Sequence, residues 1–308
     1  MIRVLHFSDL HLEDGFAGEP TGAFLNKRLV GLLNLKLRRA AHFRGAREKV
    51  EALAAFAERE AIDLALCTGD YTALGTESEL AFARGVIDPF TKAPRGFVTL
   101  AGNHDLYVED TVLAGRFERH FGAFLHTERP ELSVDGRFPI VRFPADGVAV
   151  VALESSRVNP APHVSSGRVP DAQIEALERI LALPELEDRF VFVMTHYAPR
   201  LWNGRPDSTL HGLENADALL RALRGLRFGA LLFGHVHHRY HLHEAEHSVP
   251  LFCAGSATYR DREGAWLFEL GEETAVAMPL GFERGEWVAE RGKAIALRPR
   301  GPGASLTP

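Results

Sequence analysis

The chain has 308 residues, and its 46% hydrophobic and 25% charged residues are typical of a globular protein. A formal net charge of −6 argues against a surface built wholly for nucleic acid, so we expect no nucleic-acid partner. No apolar run approaches the ~20 residues that a membrane span needs, and the N-terminal MIRVLHFSDLH lacks a signal-peptide pattern. The two cysteines, Cys67 and Cys253, lie in apolar runs, which predicts buried free thiols and a cytoplasmic protein.

Short apolar runs alternate with helical patterns through the first two thirds of the chain. Continuous apolar character predicts strands covered on both faces, at 2–7, 63–67, 96–100, 148–153, 190–194 and 230–233. Apolar residues at helical spacing predict helices over 47–60 and 170–183. From about residue 249 the chain becomes strand-rich. We therefore expect a single α/β domain with two sheets over residues 1–297 and a disordered tail rich in Pro, Gly and Ser over 298–308.

Polar residues follow five of the predicted strands, in the segments SDLHL, TGDYT, AGNHDLY, MTHYAP and FGHVHH. Because the carboxyl ends of strands in an α/β sheet meet at one crevice, these segments should converge there. His235 and His237 stand at i and i+2, so in an extended chain their side chains would point to the same side. The converging set comprises Asp9, His11, Asp70, Asn103, His104, Asp105, His196, His235 and His237.

Carboxylates and imidazoles gathered in one crevice indicate bound cations, because a buried carboxylate needs a partner charge. Oxygen and imidazole ligands without thiolates suit Mn, Fe, Zn or Ni. The set is too large for one ion and sufficient for two. Each segment alone is a weak signal, and their order and their position after strands carry the prediction.

The five segments resemble the pattern of the calcineurin-like metallophosphoesterases, D-x-H, GD, GNH-[DE], H and GH-x-H, over roughly residues 2–258. The resemblance implies a four-layer αββα sandwich with two mixed β-sheets. It also implies hydrolysis of a phosphoric ester by a hydroxide that bridges two divalent metal ions, most often Mn.

By the same resemblance, one metal would be bound by Asp9, His11, Asp70 and His237, and the other by Asp70, Asn103, His196 and His235, with Asp70 shared. His104 would contact the phosphoryl group and protonate the leaving oxygen, and Asp105 would fix its orientation. Arg157 and His211 are candidate substrate contacts, with a position in a loop or helix cap as the alternative.

The departures from the pattern bear on the substrate. The segments GDYTALG and THYAP lack the signatures of phosphoprotein phosphatases, and the repair exonucleases carry acidic and Pro residues in the second block that are absent here. The text after VVALESS resembles the cyclic-nucleotide phosphodiesterases, whereas KRLVGLLN resembles the UDP-2,3-diacylglucosamine pyrophosphatases. A phosphodiester or pyrophosphate, lipid-linked or a 3′,5′-cyclic nucleotide, is therefore expected. The sequence also leaves open a nuclease or a non-catalytic protein-binding scaffold of this fold.

Residues 21–50 form a basic, leucine-rich insert with eight Lys or Arg residues against one acid, Glu48. Basic and apolar residues together indicate an anionic membrane surface as a partner, which would place the protein at the inner face of a membrane. The insert could instead pack its leucines on the core and expose its charges, or contact protein or nucleic acid. No obligate protein partner is expected.

Overall fold

The computed structural model describes residues 1–297 except 17, 40, 135, 160, 162, 244–248 and 272–273, and it describes Arg38 and Arg39 by their backbone alone. The predicted tail, 298–308, lies outside the described residues. The strands are β1 (Ile2–Phe7), β2 (Leu64–Cys67), β3 (Phe97–Thr99), β4 (Ile140–Ala145), β5 (Val148–Ala152), β6 (Phe190–Met194), β7 (Gly229–Phe233), β8 (Tyr240–Leu242), β9 (Leu251–Cys253), β10 (Ala265–Leu270), β11 (Ala275–Glu283), β12 (Glu286–Ala289) and β13 (Ile295–Leu297). The α-helices are α1 (Lys27–Asn34), α2 (Ala46–Arg59), α3 (Glu77–Val86), α4 (Glu109–Leu113), α5 (Arg116–Phe121), α6 (Asp171–Leu181) and α7 (Ala216–Ala222).

Two mixed sheets form the centre of the fold. The first has the strand order β12-β11-β10-β1-β2-β3, with β13 paired to β11, and the second has the order β4-β5-β6-β7-β9-β8. In the first sheet β1, β2 and β3 are parallel, and β10 pairs antiparallel to β1. In the second sheet β5, β6, β7 and β9 are parallel. The strand-rich C-terminal third is therefore divided between the two sheets.

The apolar strands of the second sheet separate two cores, because successive side chains of a strand point to opposite faces. In β6, Phe192 and Met194 pack into the core shared with the first sheet, whereas Val191 and Val193 pack against the helices on the other side. Helix α2 covers the first sheet through Val50, Leu53 and Phe56, and α6 covers the second through Ile174, Leu177 and Ile180. The layers are helix, sheet, sheet and helix, which confirms the predicted αββα sandwich.

Every strand predicted from a continuous apolar run is present, with ends that differ from the prediction by at most a residue or two. Strands β4, β8 and β13 were not predicted. Strands β4 and β8 lie at the edges of the second sheet, and β13, among the strands described, pairs only with β11. Each is partly exposed, so its sequence is not continuously apolar and gives a weak signal. Both cysteines are buried free thiols, as expected. None of the helices in the described ranges has both the length and the apolar composition that a membrane span requires.

Candidate metal centre

The polar segments that follow β1, β2, β3, β6 and β7 come together at one edge of the sandwich. Ligand atoms of four buried or half-buried residues all lie within 4.8 Å of one another, namely Asp9, His11, Asp70 and His237. Nε2 of His237 lies 3.2 Å from Oδ1 of Asp9, and Nε2 of His11 lies 3.8 Å from Oδ2 of Asp70.

A second group adjoins the first and shares Asp70 with it. Nε2 of His196 lies 3.5 Å from Oδ2 of Asp70 and 3.0 Å from Oδ1 of Asn103. Nδ1 of His235 lies 3.0 Å from the same Asn103 oxygen. The seven residues predicted as metal ligands therefore form two overlapping clusters that meet at Asp70.

Backbone carbonyls fix the orientation of the imidazole rings. Nδ1 of His11 lies 3.1 Å from the carbonyl oxygen of Thr72, and Nδ1 of His196 lies 2.7 Å from that of Thr68. In the tautomer that donates these hydrogen bonds, each Nε2 presents a lone pair to the cluster. His235 is turned the other way, because its Nε2 lies 2.9 Å from the carbonyl oxygen of His211 and its Nδ1 faces Asn103.

The charge state of the cluster suits a cation. Burial lowers the pKa of His196, and burial together with the neighbouring His196 lowers the pKa of His235 to about 3, so both rings favour the neutral form that can bind a metal. Burial raises the pKa of Asp9, but the nearby imidazoles, chiefly His237 with its Nε2 3.2 Å from Oδ1, outweigh it and hold the pKa below its usual value. Oδ1 of Asp9 is buried and accepts no hydrogen bond from the described residues. A buried carboxylate oxygen facing imidazole lone pairs fits a divalent cation.

The backbone at the centre is in the left-handed region, which non-glycine residues rarely adopt. Positive φ angles occur at five of the predicted ligands, Asp9 (55°), His11 (43°), Asp70 (58°), His235 (71°) and His237 (49°). The expectation of an extended segment through His235 and His237 was therefore wrong. The turn directs His237 towards Asp9 and His235 towards Asn103, so each joins a different cluster. Such strain concentrates at functional sites, where surrounding contacts hold it in place.

Two motif glycines allow the strand ends to meet. A Cβ atom on Gly102 would lie 2.1 Å from Oδ1 of Asp70, and one on Gly234 would lie 2.2 Å from Oδ2 of Asp9. Any side chain at either position would displace a carboxylate of the cluster.

Asp105 and His104 have contacts that the sequence did not predict. Nδ1 of His104 lies 2.6 Å from the carbonyl oxygen of Ala73, so a backbone group orients the ring. The buried Asp105 carboxylate instead accepts hydrogen bonds from the backbone amides of Asp70, Tyr71, Thr72 and Gly102. Asp105 thus holds the loop that carries Asp70, and the orientation of His104 by Asp105 stays a prediction.

A cleft of about 500 Å³ opens beside the clusters and includes His104, Arg157 and His211 in its lining. Arg157 forms an ion pair with Glu214 and donates to Oγ of Ser166 at 2.9 Å, which holds it at the cleft wall. His211 is exposed, and its carbonyl orients His235. Sequence reasoning did not identify further residues that line the cleft: Lys27, Asn34, Tyr107, Asn159 and Trp202.

The insert reaches the rim of this cleft through one face of α1. Lys27 donates to the carbonyl oxygen of Asn159 at 3.0 Å and its Nζ lies 4.5 Å from the ring centre of Tyr107. Arg28 is fully buried and donates to Leu74, Gly75 and Thr111. Leu25, Leu29, Leu33 and Leu37, spaced four residues apart, are between 47% and 83% exposed. The insert therefore differs from the alternative in which its leucines pack on the core and its charges face solvent, because four leucines are exposed and Arg28 is buried.

Comparison with known proteins agrees with the fold and the motifs. The sequence profile described as calcineurin-like phosphoesterase matches residues 2–239. A dimetal phosphatase from Danio rerio is 14% identical, with a TM-score of 0.65 over 96% of this chain and 98% of that chain. The purple acid phosphatase PPD1 of yellow lupin (Lupinus luteus) seeds is 11% identical, with a TM-score of 0.62 over 100% of this chain and 57% of that chain. Among curated proteins, none matches the chain in sequence.

The profile covers most of the chain, and the two structures share its fold. The chain belongs to the calcineurin-like phosphoesterase family and is a metal-dependent phosphoesterase. Its His and Asp cluster is suited to a dinuclear metal site.

Proposed function

We propose that the protein hydrolyses a phosphodiester or pyrophosphate bond with two divalent cations, Mn²⁺ by preference and Fe, Zn or Ni as alternatives. One cation is held by Asp9, His11, Asp70 and His237, and the other by Asp70, Asn103, His196 and His235. The observation that carries the proposal is the sharing of Asp70 between two clusters of oxygen and imidazole ligands. Two such ions, when bound, activate a water molecule and stabilise negative charge on the phosphoryl oxygens.

His104 is the proposed acid for the leaving group. Its Nδ1 donates to the carbonyl oxygen of Ala73, and this bond orients the ring. The ring lines the cleft, where Nε2 can donate a proton to the leaving oxygen. Asp105 acts indirectly, as a positioning residue. Its carboxylate accepts hydrogen bonds from the amides of Asp70 and Gly102 and so keeps the two loops together.

The proposed substrate is an amphipathic or lipid-linked phosphoester, such as UDP-2,3-diacylglucosamine, at an anionic membrane surface. Support comes from α1, which lines the cleft with Lys27 and Asn34 and exposes Leu29, Val30 and Leu33 to solvent. Trp202, 55% exposed, also lines the cleft. Apolar side chains on the helix that borders a phosphoester cleft suit acyl chains or a lipid surface. A soluble 3′,5′-cyclic nucleotide is the alternative substrate.

The test of the reaction is turnover of bis-p-nitrophenyl phosphate by purified protein. We expect chelator treatment to abolish turnover and Mn²⁺ to restore it. Turnover that survives complete removal of metal would refute the two-cation proposal.

The test of the membrane surface compares Leu33→Glu with the matched control Val288→Glu, since the two side chains are 53% and 45% exposed. We expect wild type and the control to bind vesicles of anionic phospholipid, and Leu33→Glu to bind at least about fivefold more weakly. If wild type does not bind the vesicles, or if both variants bind alike, the lipid assignment fails and the soluble diester remains.

A further inference from the structure

The protein has a second hollow, of about 620 Å³, next to the metal centre. Basic side chains are the most numerous residues in its lining. Five cationic residues line it, Arg44, Lys49, Arg239, Arg260 and Arg262, together with three acidic ones, Asp261, Glu263 and Glu290. The hollow thus has a formal charge of +2, five positive against three negative, in a chain whose net charge is −6. A concave surface of that size and sign is suited to an anionic ligand.

Most of the acidic groups are already paired within the protein. Nζ of Lys49 lies 2.6 Å from Glu263, and Arg239 lies 2.9 Å from Glu290. Asp261 is an exposed neighbour of Arg260 at 3.6 Å. Arg44 and Arg262 have no carboxylate partner within the part of the chain that the structure describes. The guanidinium groups of Arg44 and Arg262 are thereby left for a ligand, and that of Arg260 has only an exposed partner.

The N-terminus of α2 adds to this field. Arg44 immediately precedes the helix, and Lys49 stands in its first turns. Gly45 occupies the N-cap position with a φ of 74°, and no side chain caps the helix. The positive end of this 14-residue helix, beside several arginines, favours a phosphate group, whose oxygens accept from guanidinium groups.

The hollow is separated from the metal centre by one aromatic layer. Phe43 precedes Arg44, and Tyr259 precedes Arg260. The Phe43 ring centre lies 4.5 Å from that of His11 and 5.5 Å from that of Tyr259, and Tyr259 lies 5.7 Å from His237. The amide of Arg260 donates to the carbonyl oxygen of His42 at 2.7 Å and ties the two segments together.

We propose that this hollow is a second anion site, which binds a phosphate group through Arg44, Arg260 and Arg262 and is distinct from the metal centre. The phosphate group belongs either to a soluble phosphorylated metabolite or to a lipid headgroup. Guanidinium groups bind a phosphate in bidentate fashion, so arginine and not merely positive charge is required. Binding at this site is independent of the proposed hydrolysis, so either proposal can fail alone.

The test uses isothermal titration of the Mn²⁺-loaded protein with inorganic phosphate, which has no phosphoester or pyrophosphate bond to hydrolyse. We expect two sites per chain in wild type, one in the metal centre and one in the hollow. In Arg44→Gln/Arg260→Gln/Arg262→Gln the second site should be lost or weakened at least about tenfold. The control Arg179→Gln/Arg221→Gln, which removes exposed arginines from α6 and α7, should retain both sites.

A conservative variant guards against misfolding as the cause. Arg44→Lys/Arg262→Lys keeps the charge, and we expect it to melt like wild type but to bind inorganic phosphate at the second site several-fold more weakly. Vesicles containing phosphatidate distinguish the source of the phosphate: retention that the triple variant loses indicates a headgroup, and no retention indicates a soluble ligand. If the triple substitution weakens no phosphate site of the wild-type protein, the proposal is overturned, whether or not the metal centre itself binds phosphate.

Discussion

His104 is the residue at which chemistry and metal binding can be separated. Its ring lines the cleft but is oriented by the Ala73 carbonyl and has no place in either ligand group. We expect His104→Ala to lower turnover of bis-p-nitrophenyl phosphate about 100-fold or more while the metal content stays at the wild-type level. The control is His238→Ala, because His238 is exposed in the same loop as two ligands. Loss of metal with unchanged turnover in His104→Ala would contradict the assigned role.

Asp105 is a positioning residue, and the expected effect of its replacement is on stability. Its buried carboxylate accepts from four backbone amides, so Asp105→Asn turns an amide donor towards some of them. We expect the free energy of unfolding to fall by about 2–4 kcal/mol, measured by urea denaturation. Asp171→Asn, at an exposed ion pair with Arg168, should cost less than about 1 kcal/mol. Equal costs for the two substitutions would refute this role for Asp105.

At the scale of elements, the position of α1 depends on close packing of Gly31 against Tyr107 and Leu74. A Cβ atom on Gly31 would lie 2.5 Å from Oη of Tyr107 and 2.6 Å from Cδ2 of Leu74. We expect Gly31→Ala to destabilise the protein by about 1–3 kcal/mol, because α1 must move away from the cleft wall. The measurement is the melting temperature together with turnover.

The matched control for Gly31 is Gly85, in α3, where an added methyl group meets no atom within 4 Å. Gly85→Ala should stabilise the protein by about 0.5–1 kcal/mol through higher helix propensity. If Gly31→Ala also stabilised the protein, α1 would not pack as closely as the structure shows.

The strands that carry the site were predictable because each is buried on both faces and therefore continuously apolar, as in Phe190–Met194. The insert was not predictable in the same way. Arg28 is buried because Leu74, Gly75 and Thr111, all distant in sequence, supply its hydrogen-bond acceptors. A local pattern of charges and leucines contains no information about those partners. The exposed positions of Leu29 and Leu33 follow from that burial.

At the scale of the whole molecule, the gathering of the ligand set was predictable and its detailed geometry was not. The rule that parallel strands end at one edge brings Asp9, Asp70 and His196 together. The left-handed turn at His235 and His237 depends on contacts from other strands, such as the amide of His235 donating to Asp9. The family resemblance implied the division of the seven residues into two groups, but the backbone turn that directs His235 and His237 to different groups needed the structure. The assignment of residues 1–297 to one domain stays a prediction.

The paired-cation site is tested most directly by the metal content of the chain after equilibration with Mn²⁺ and removal of free metal, measured by mass spectrometry. We expect two ions per chain in wild type and about one in Asn103→Ala, which alters only the cluster that includes His196 and His235. Asp70→Ala, which removes the shared ligand, should retain much less than one. One ion or fewer in wild type, or two in Asp70→Ala, would contradict the two-cation centre from which the proposed hydrolysis follows.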